Sequence, residues 1–360
     1  MPLIVVEEDR VLRVTQVILD PSTSAERVAA FADYNSTDQP DFAGWLDALR
    51  SRLPGLYPAD LRLVNSQEEL RAALPQADAV VVEKLDIGEA ELALAPRLAI
   101  VHKFGRLGDN IDQGACAARG IPVMSLRRRT NIAVAEHTIT LVLALARRLP
   151  LINGLVSESR LQQAGFAFRP YDRRHTAGAN YGRIPDLLTL HGLTLGLLGF
   201  GETAREVAML ARAFGMRVRY HKRTPLDAAE ERALEVTHCG FDELFEQSDF
   251  LSVHVPSSAK TRSLVDAAAI GRMRRGTYLV NTARAEIVDH DALVDALRAG
   301  HLAGAGFDVQ YGEPSADDDP LLHFDNVILT PHMAGASRMN GLIDAENLLL
   351  NLHAALQRRG

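Results

Sequence analysis

The sequence predicts an α/β protein built on two doubly wound parallel sheets. Three observations predict it: short apolar runs alternate with helical patterns along most of the 360 residues, one such run enters a glycine turn that opens a helix, and four later motifs follow runs of the same kind. The length suggests about two domains. With 47% apolar and 24% charged residues, the chain has an ordinary globular composition and enough apolar material to bury sizeable cores. A net charge of −7 gives no general reason to bind nucleic acid or an anionic membrane, and neither partner is expected. The first residues, MPLIVVEEDR, lack a basic segment followed by an apolar core and a small-residue cleavage site. No stretch approaches the roughly 18 apolar residues of a membrane span. A cytoplasmic protein is therefore expected. Cys116 and Cys239 lie far apart without metal-ligand or disulfide spacing. They read as buried free thiols, and no metal site is expected.

In chain order, the spacing predicts a strand over 11–19, helices over 24–31 and 41–53, and a strand over 61–64. A helix over 66–74, strands over 79–82 and 98–101, and a helix over 112–119 complete this alternation. Residues 131–148, NIAVAEHTITLVLALARR, form a long and strongly apolar helix suited to burial between domains or subunits. Between 159 and 190 the chain turns polar and irregular, with Arg169, Pro170, Asp172, Arg173, Arg174, His175 and Gly178 close together. This excursion either covers a cleft, builds a subunit contact or is an uncommitted surface loop. Strands are then predicted over 194–198, 218–221, 250–255, 277–281, 304–309 and 327–329. The last helix, over 337–356, is expected to pack back on the first domain.

The strand at 194–198 leads into Gly199-Phe200-Gly201-Glu202-Thr203-Ala204, and Val207, Leu210, Ala211 and Phe214 then recur at helical spacing until Gly215 supplies a stop. In such a strand–turn–helix the first glycine permits the reversal and the second lets the backbone approach a pyrophosphate. The helix N-terminus contributes amides and a positive dipole end. Gly199, Gly201, Glu202 and Thr203 are thus candidate dinucleotide contacts. An NAD site usually has an acid about 20 residues further on to hold the ribose hydroxyls. Here the second strand ends in His221-Lys222-Arg223-Thr224. Lys222 and Arg223 remove repulsion toward a ribose 2′-phosphate and supply cations for it, so NADP is favoured over NAD.

Four further segments end or follow predicted strands: His254-Val255-Pro256, Asn281-Thr282-Ala283-Arg284-Ala285, Gly306-Phe307-Asp308-Val309 through Glu313-Pro314, and Thr330-Pro331-His332. The carboxyl ends of strands in a doubly wound sheet face the ligand crevice, so these segments should converge. With the glycine turn and Asp109-Asn110-Ile111-Asp112, their order resembles the D-isomer-specific 2-hydroxyacid dehydrogenases, of the glyoxylate/hydroxypyruvate reductase and phosphoglycerate dehydrogenase type. The resemblance runs from about residue 79 to 337 and is weak over the first 70 or so.

The resemblance implies a Rossmann-type nucleotide domain, 125–331, inserted into a discontinuous flavodoxin-like substrate domain, 1–124 and 332–360, with the active site in the intervening cleft. It implies hydride transfer between NAD(P)H and a small anionic 2-keto acid, in a homodimer for which the apolar helix over 131–148 is a candidate interface. His332 would exchange the proton, for which imidazole has suitable acidity, Glu313 would orient it and favour its charged form, and Arg284 would bind the substrate carboxylate and carbonyl. Val255, Pro256, Thr282, Ala283 and Asp308 would lie along the cofactor. Phe104, Gly105 and Arg106 belong to the substrate loop, where backbone amides can cradle a carboxylate, although Leu107 replaces an expected second glycine. Lys103 and Arg106 either meet an anionic substrate or stand as surface charge. Arg127, Arg128 and Arg129 read as a solvated charge run, and Ala285 follows Arg284 where the family has glycine. The resemblance also embraces NAD(H)-sensing corepressors and formate or phosphite dehydrogenases, which are the alternative readings.

Overall fold

Five consecutive buried residues, Leu3–Glu7, form the first strand, β1, whereas the sequence predicts its first strand over 11–19. Those later residues fold as helix α1, Arg13–Leu19. Asp9 tips the balance: its carboxylate accepts from the amides of Val11 (2.8 Å) and Leu12 (3.3 Å), and Val14, Val17 and Ile18 then bury one face at helical spacing. The computed structural model describes residues 1–166 and 168–358, so the 159–190 excursion is described except at Ala167.

Helices α2 (Ala25–Asn35) and α3 (Phe42–Ser51) precede β2 (Asp60–Val64). Then α4 (Gln67–Ala73) leads to β3 (Ala79–Val82), α5 (Glu89–Ala93) to β4 (Ile100–Lys103), and α6 (Gln113–Ala118) to β5 (Val123–Ser125). Helices α7 (Arg129–Ala146), α8 (Leu149–Ile152) and α9 (Glu158–Gln163) come before the second run of strands. That run comprises β6 (Thr194–Leu198), α10 (Glu202–Ala213), β7 (Arg217–His221), α11 (Ala228–Leu234), β8 (Val236–His238), α12 (Phe241–Gln247) and β9 (Phe250–Val253). It continues through α13 (Ala267–Arg272), β10 (Thr277–Asn281), α14 (His290–Arg298), β11 (Leu302–Phe307) and β12 (Val327–Leu329) to the last helix, α15 (Met339–Gln357). Asp112, Asp227, Asp266 and Asp289 each accept a first-turn amide of the helix they precede, a cap worth about 1 kcal/mol.

The chain divides into two units. The first, Met1–Ile132 with Gly335–Gly360, holds a five-stranded parallel sheet in the order β2-β1-β3-β4-β5, the flavodoxin-like arrangement. Because β5 pairs with β4, this unit runs past the boundary expected at 124/125. Glu7, at the end of β1, accepts the amides of Glu83, Lys84 and Leu85 at 2.6–2.9 Å and so fixes the turn after β3. Helix α15 sinks Leu342, Leu348, Leu349 and Leu352 into this unit's core, each burial stabilising by roughly 1.5–3 kcal/mol. Its buried Asp344 accepts the amides of Arg129 (2.9 Å) and Thr130 (3.4 Å) at the start of α7.

The second unit, Ala133–Ala334, holds seven parallel strands in the order β12-β11-β10-β9-β6-β7-β8. The order reverses between β6 and β9, the crevice where Rossmann-type sheets take their ligand. Strands β6, β9 and β10 are buried throughout, which explains their unbroken apolar reading. Helix α7 lies against β11 at Gly306, where an added Cβ would come within 3.2 Å of Leu141 and 3.3 Å of Leu145. Ala135, Ile139, Leu141, Val142, Leu145 and Ala146 of this helix are buried in the unit's own core, and Val134 and Leu143 are half-buried.

Candidate functional site

Gly199 closes β6 with φ +93°, and a Cβ there would stand 2.6 Å from the carbonyl oxygen of His254. Only glycine lets the ends of β6 and β9 approach this closely; the His254 amide donates to Leu198 at 2.7 Å. Gly201 is the N-cap of α10, has no capping side chain, and would meet nothing within 4 Å if it carried a Cβ. Glu202 and Thr203 form the first turn, and Ala204, at the motif's third small position, is fully buried against the sheet. A 12-residue helix whose start is open on its Gly201 side fits a pyrophosphate by its dipole and amide geometry.

At the end of β7, the His221 ring nitrogen Nδ1 lies 3.0 Å from the Cys239 carbonyl and its ring packs edge-on against Phe241. The strand end is thereby fixed, and Lys222 and Arg223 follow it, the first half-buried and the second exposed. Among the described residues no carboxylate forms an ion pair with either cation.

The ends of β9 to β12 carry the remaining motifs. His254, packed beside Ser252 (Nε2 to Oγ, 2.8 Å), is pushed down to about 4 by desolvation and stays neutral at ordinary pH. Val255 is half-buried beyond it and Pro256 is exposed. After β10, the wholly buried Asn281 brackets the turn: its Oδ1 accepts the Ala283 amide (2.9 Å) and its Nδ2 donates to the Arg284 carbonyl (2.8 Å). Asn281 is thus a site residue that sequence reasoning missed, although it stands in the quoted motif at the very end of a strand. Arg284 is exposed, with Nη1 donating to the Ala283 carbonyl at 2.5 Å, and Ala285 is buried behind it. Thr282, expected along the cofactor, is turned inward and shares a hydrogen bond with Thr138 of α7 at 2.9 Å.

Glu313 and His332 meet. The imidazole Nδ1 is 2.9 Å from both carboxylate oxygens, and both side chains are close to half exposed. The hydrogen bond from His332 holds the Glu313 carboxyl below its ordinary range, helped by the Gln310 amide and the nearby charge of Arg284. A carboxylate has no proton to give, so Nδ1 is the donor and Nε2 is the nitrogen left for other chemistry. Gln310 also donates through Nε2 to the Thr330 carbonyl at 3.0 Å, tying the Glu313 segment to the histidine turn. His332 itself has φ +51°, a left-handed conformation that costs a non-glycine residue roughly 1–2 kcal/mol.

Asp308 accounts for that conformation. It is fully buried, and its carboxylate accepts Thr330 Oγ1 (2.6 Å), the Met333 amide (2.9 Å) and the Ala334 amide (2.7 Å). Its hydrogen bonds run to the histidine turn.

In the first unit, β4 ends at Lys103, whose amine donates to the Glu83 carbonyl and to Asn110 Oδ1 (3.0 Å). Phe104 is buried, with the Arg128 guanidinium 4.3 Å above its ring, so Arg128 is half-buried and not part of a fully solvated charge run. Gly105 adopts φ +144° and accepts from the Leu126 amide, and Arg106 is exposed beside it. Among the described residues no cluster of His, Cys, Asp and Glu has a metal-holding arrangement.

Comparison with known proteins adds a family context. The family model for the D-isomer specific 2-hydroxyacid dehydrogenases, NAD binding domain, matches residues 139–334. A D-3-phosphoglycerate dehydrogenase of Archaeoglobus fulgidus is 35% identical over 290 residues, covering 79% of this chain and 51% of that protein. The chain thus spans about half the length of this relative. A glyoxylate reductase of Korarchaeum cryptofilum is 34% identical over 292 residues, covering 79% of this chain and 82% of the relative. Among solved structures, D-lactate dehydrogenase from Aquifex aeolicus, complexed with NAD and lactic acid, superposes with a TM-score of 0.53 at 26% identity, covering 99% of this chain and 95% of that one.

Proposed function

The chain belongs to the D-isomer specific 2-hydroxyacid dehydrogenases, and from that premise we propose that it transfers a hydride between NAD(P)H and a small 2-keto acid. The observation that carries this reading is the His332–Glu313 pair, Nδ1 to carboxylate at 2.9 Å, on the strand ends of a dinucleotide-type sheet. The nicotinamide, when bound, supplies the hydride to the carbonyl carbon or takes it back. In reduction His332 delivers a proton from Nε2 to the carbonyl oxygen, and in oxidation Nε2 takes it back from the hydroxyl. Glu313 orients the ring and stabilises its charged form. Arg284, exposed and close enough for its charge to act on Glu313, presents a planar fork to the substrate carboxylate. Gly105 and Arg106 belong to the loop proposed to receive the same anion, with Phe104 supporting it from beneath. The turn from Gly199 through Thr203 takes the pyrophosphate, with Val255, Pro256 and Ala283 along the path to the nicotinamide.

Lys222 and Arg223 favour NADP within this reading, since a 2′-phosphate would gain a charge-assisted contact where an acid would repel it. A homodimer is part of the same proposal. A dinucleotide sensor would have no use for a carboxylate-supported imidazole, which weighs against the regulatory alternative. The deciding experiment is turnover on a panel of glyoxylate, hydroxypyruvate, pyruvate, formate and phosphite with each of the two nicotinamide cofactors. Reduction of at least one keto acid is expected. Oxidation of formate or phosphite alone, or dinucleotide binding with no turnover, would replace the reading.

A further inference from the structure

We infer that His137, on α7, is a positioning residue for the proton-exchanging turn, acting on His332 through the Thr330 hydroxyl and the buried Asp308 carboxylate. The inference rests on the role proposed for His332. Its ground is an accounting of protons. Thr330 Oγ1 lies 2.6 Å from Asp308 Oδ1 and 3.0 Å from His137 Nε2. The hydroxyl has one proton, and the carboxylate can only accept, so that proton goes to Asp308. Thr330 must then accept from His137, which places a proton on Nε2. The same nitrogen stands 3.5 Å from Asp308 Oδ1, giving that buried carboxylate additional electrostatic support.

The chain of donors ends where it matters. Asp308 holds the turn on both sides of His332: the Thr330 hydroxyl two residues before it, and the amides of Met333 and Ala334 immediately after it. Between these anchors His332 is kept in its left-handed conformation with Nδ1 on Glu313. His137 is aimed by packing. It precedes Leu141 by one helical turn, and Leu141 rests on Gly306, two residues before Asp308 on β11. The missing side chain at 306 lets α7 lie close enough for the imidazole to reach the strand end. The neighbouring Thr138 reaches Thr282 in the same way.

The test compares His137→Phe, which keeps a ring but loses the donor, with His137→Gln, which keeps a donor. Thr330→Val serves as a second break in the same chain. With the panel acid reduced fastest, His137→Phe and Thr330→Val should lower kcat about tenfold or more and move the pH profile of reduction to lower pH. Dinucleotide affinity, read by fluorescence titration, should stay within about twofold, and His137→Gln should recover most of kcat and the profile. Nitrogen-15 spectra of the histidine rings in the cofactor-free protein should show His137 protonated at Nε2. A wild-type profile in His137→Phe, equal damage in the Phe and Gln variants, or an unprotonated Nε2 would each overturn the inference. Normal turnover in His332→Gln would instead overturn the proposed function, so the two failures are distinguishable. If no panel acid is turned over, the ring spectra still decide the proton's position.

Discussion

At the scale of single residues, the proposed site separates three jobs that mutation should separate as well. His332→Gln should reduce kcat by roughly a hundred- to ten-thousandfold, the usual worth of general acid/base catalysis, with dinucleotide affinity nearly unchanged. Arg284→Lys keeps the charge but loses the planar fork, so the KM for the keto acid should rise about tenfold or more in steady-state assays. The role proposed for Glu313 works through charge. Its carboxyl is held low by the hydrogen bond from His332, so it stays ionised through the neutral range and loses that charge only as pH falls through its lowered pKa. In Glu313→Gln the charged imidazole loses this support, and the pH profile of reduction should move to lower pH. A profile that stays in place would remove Glu313 from the proton's path. Asn281 and Asp308 act differently, because both are buried and bonded to backbone: each shapes a turn that carries one of the exposed groups.

At the scale of elements, function depends on how strand ends are brought together. Gly199 makes one such close approach, and Gly199→Ala would put a methyl 2.6 Å from a carbonyl oxygen at φ +93°. The left-handed conformation alone costs roughly 1–2 kcal/mol, and the overlap adds to it. The melting temperature should fall by at least about 2–8 °C, and dinucleotide affinity should fall with it. The end of β7 sets cofactor choice in the proposed reading. Lys222→Asp should narrow or invert the preference for NADPH over NADH, a loss of roughly 1.5–3 kcal/mol, or about ten- to a hundredfold in relative kcat/KM. An unmutated enzyme that clearly prefers NADH would sink that assignment. The element over residues 11–19 shows why local pattern misleads: its many β-branched residues read as a strand, while the Asp9 carboxylate takes the amides of Val11 and Leu12 just ahead of a helix and Leu3–Glu7 takes the place in the sheet.

At the scale of the molecule, two parallel sheets are linked by a chain that leaves the first unit at α7 and returns to it with α15. No helix of the described residues is long and apolar enough to cross a membrane. The proposed homodimer should appear in light scattering as twice the mass of one chain, and a monomer at working concentration would exclude it. Because α7 packs Leu141 and Leu145 on β11, Leu141→Ala or Leu145→Ala should destabilise the second unit by about 2–5 kcal/mol, read in a melting curve.

The sequence by itself determined the two-sheet α/β class, most of the strands and the glycine turn, and its resemblance to the family nominated His332, Glu313 and Arg284 for the proposed site. These are carried by short-range signals: unbroken apolar runs for buried parallel strands, helical spacing after the turn, and polar motifs at strand ends. Only the tertiary structure decided that Lys103 meets Asn110 and Phe104 meets Arg128, that Asp308 bonds the histidine loop, and that His137 reaches Thr330. It also decided that His332 sits in a left-handed conformation. The physical reason is common to all four. Which way a polar side chain points at a strand end depends on hydrogen-bond partners tens or hundreds of residues away, and no local periodicity encodes those partners.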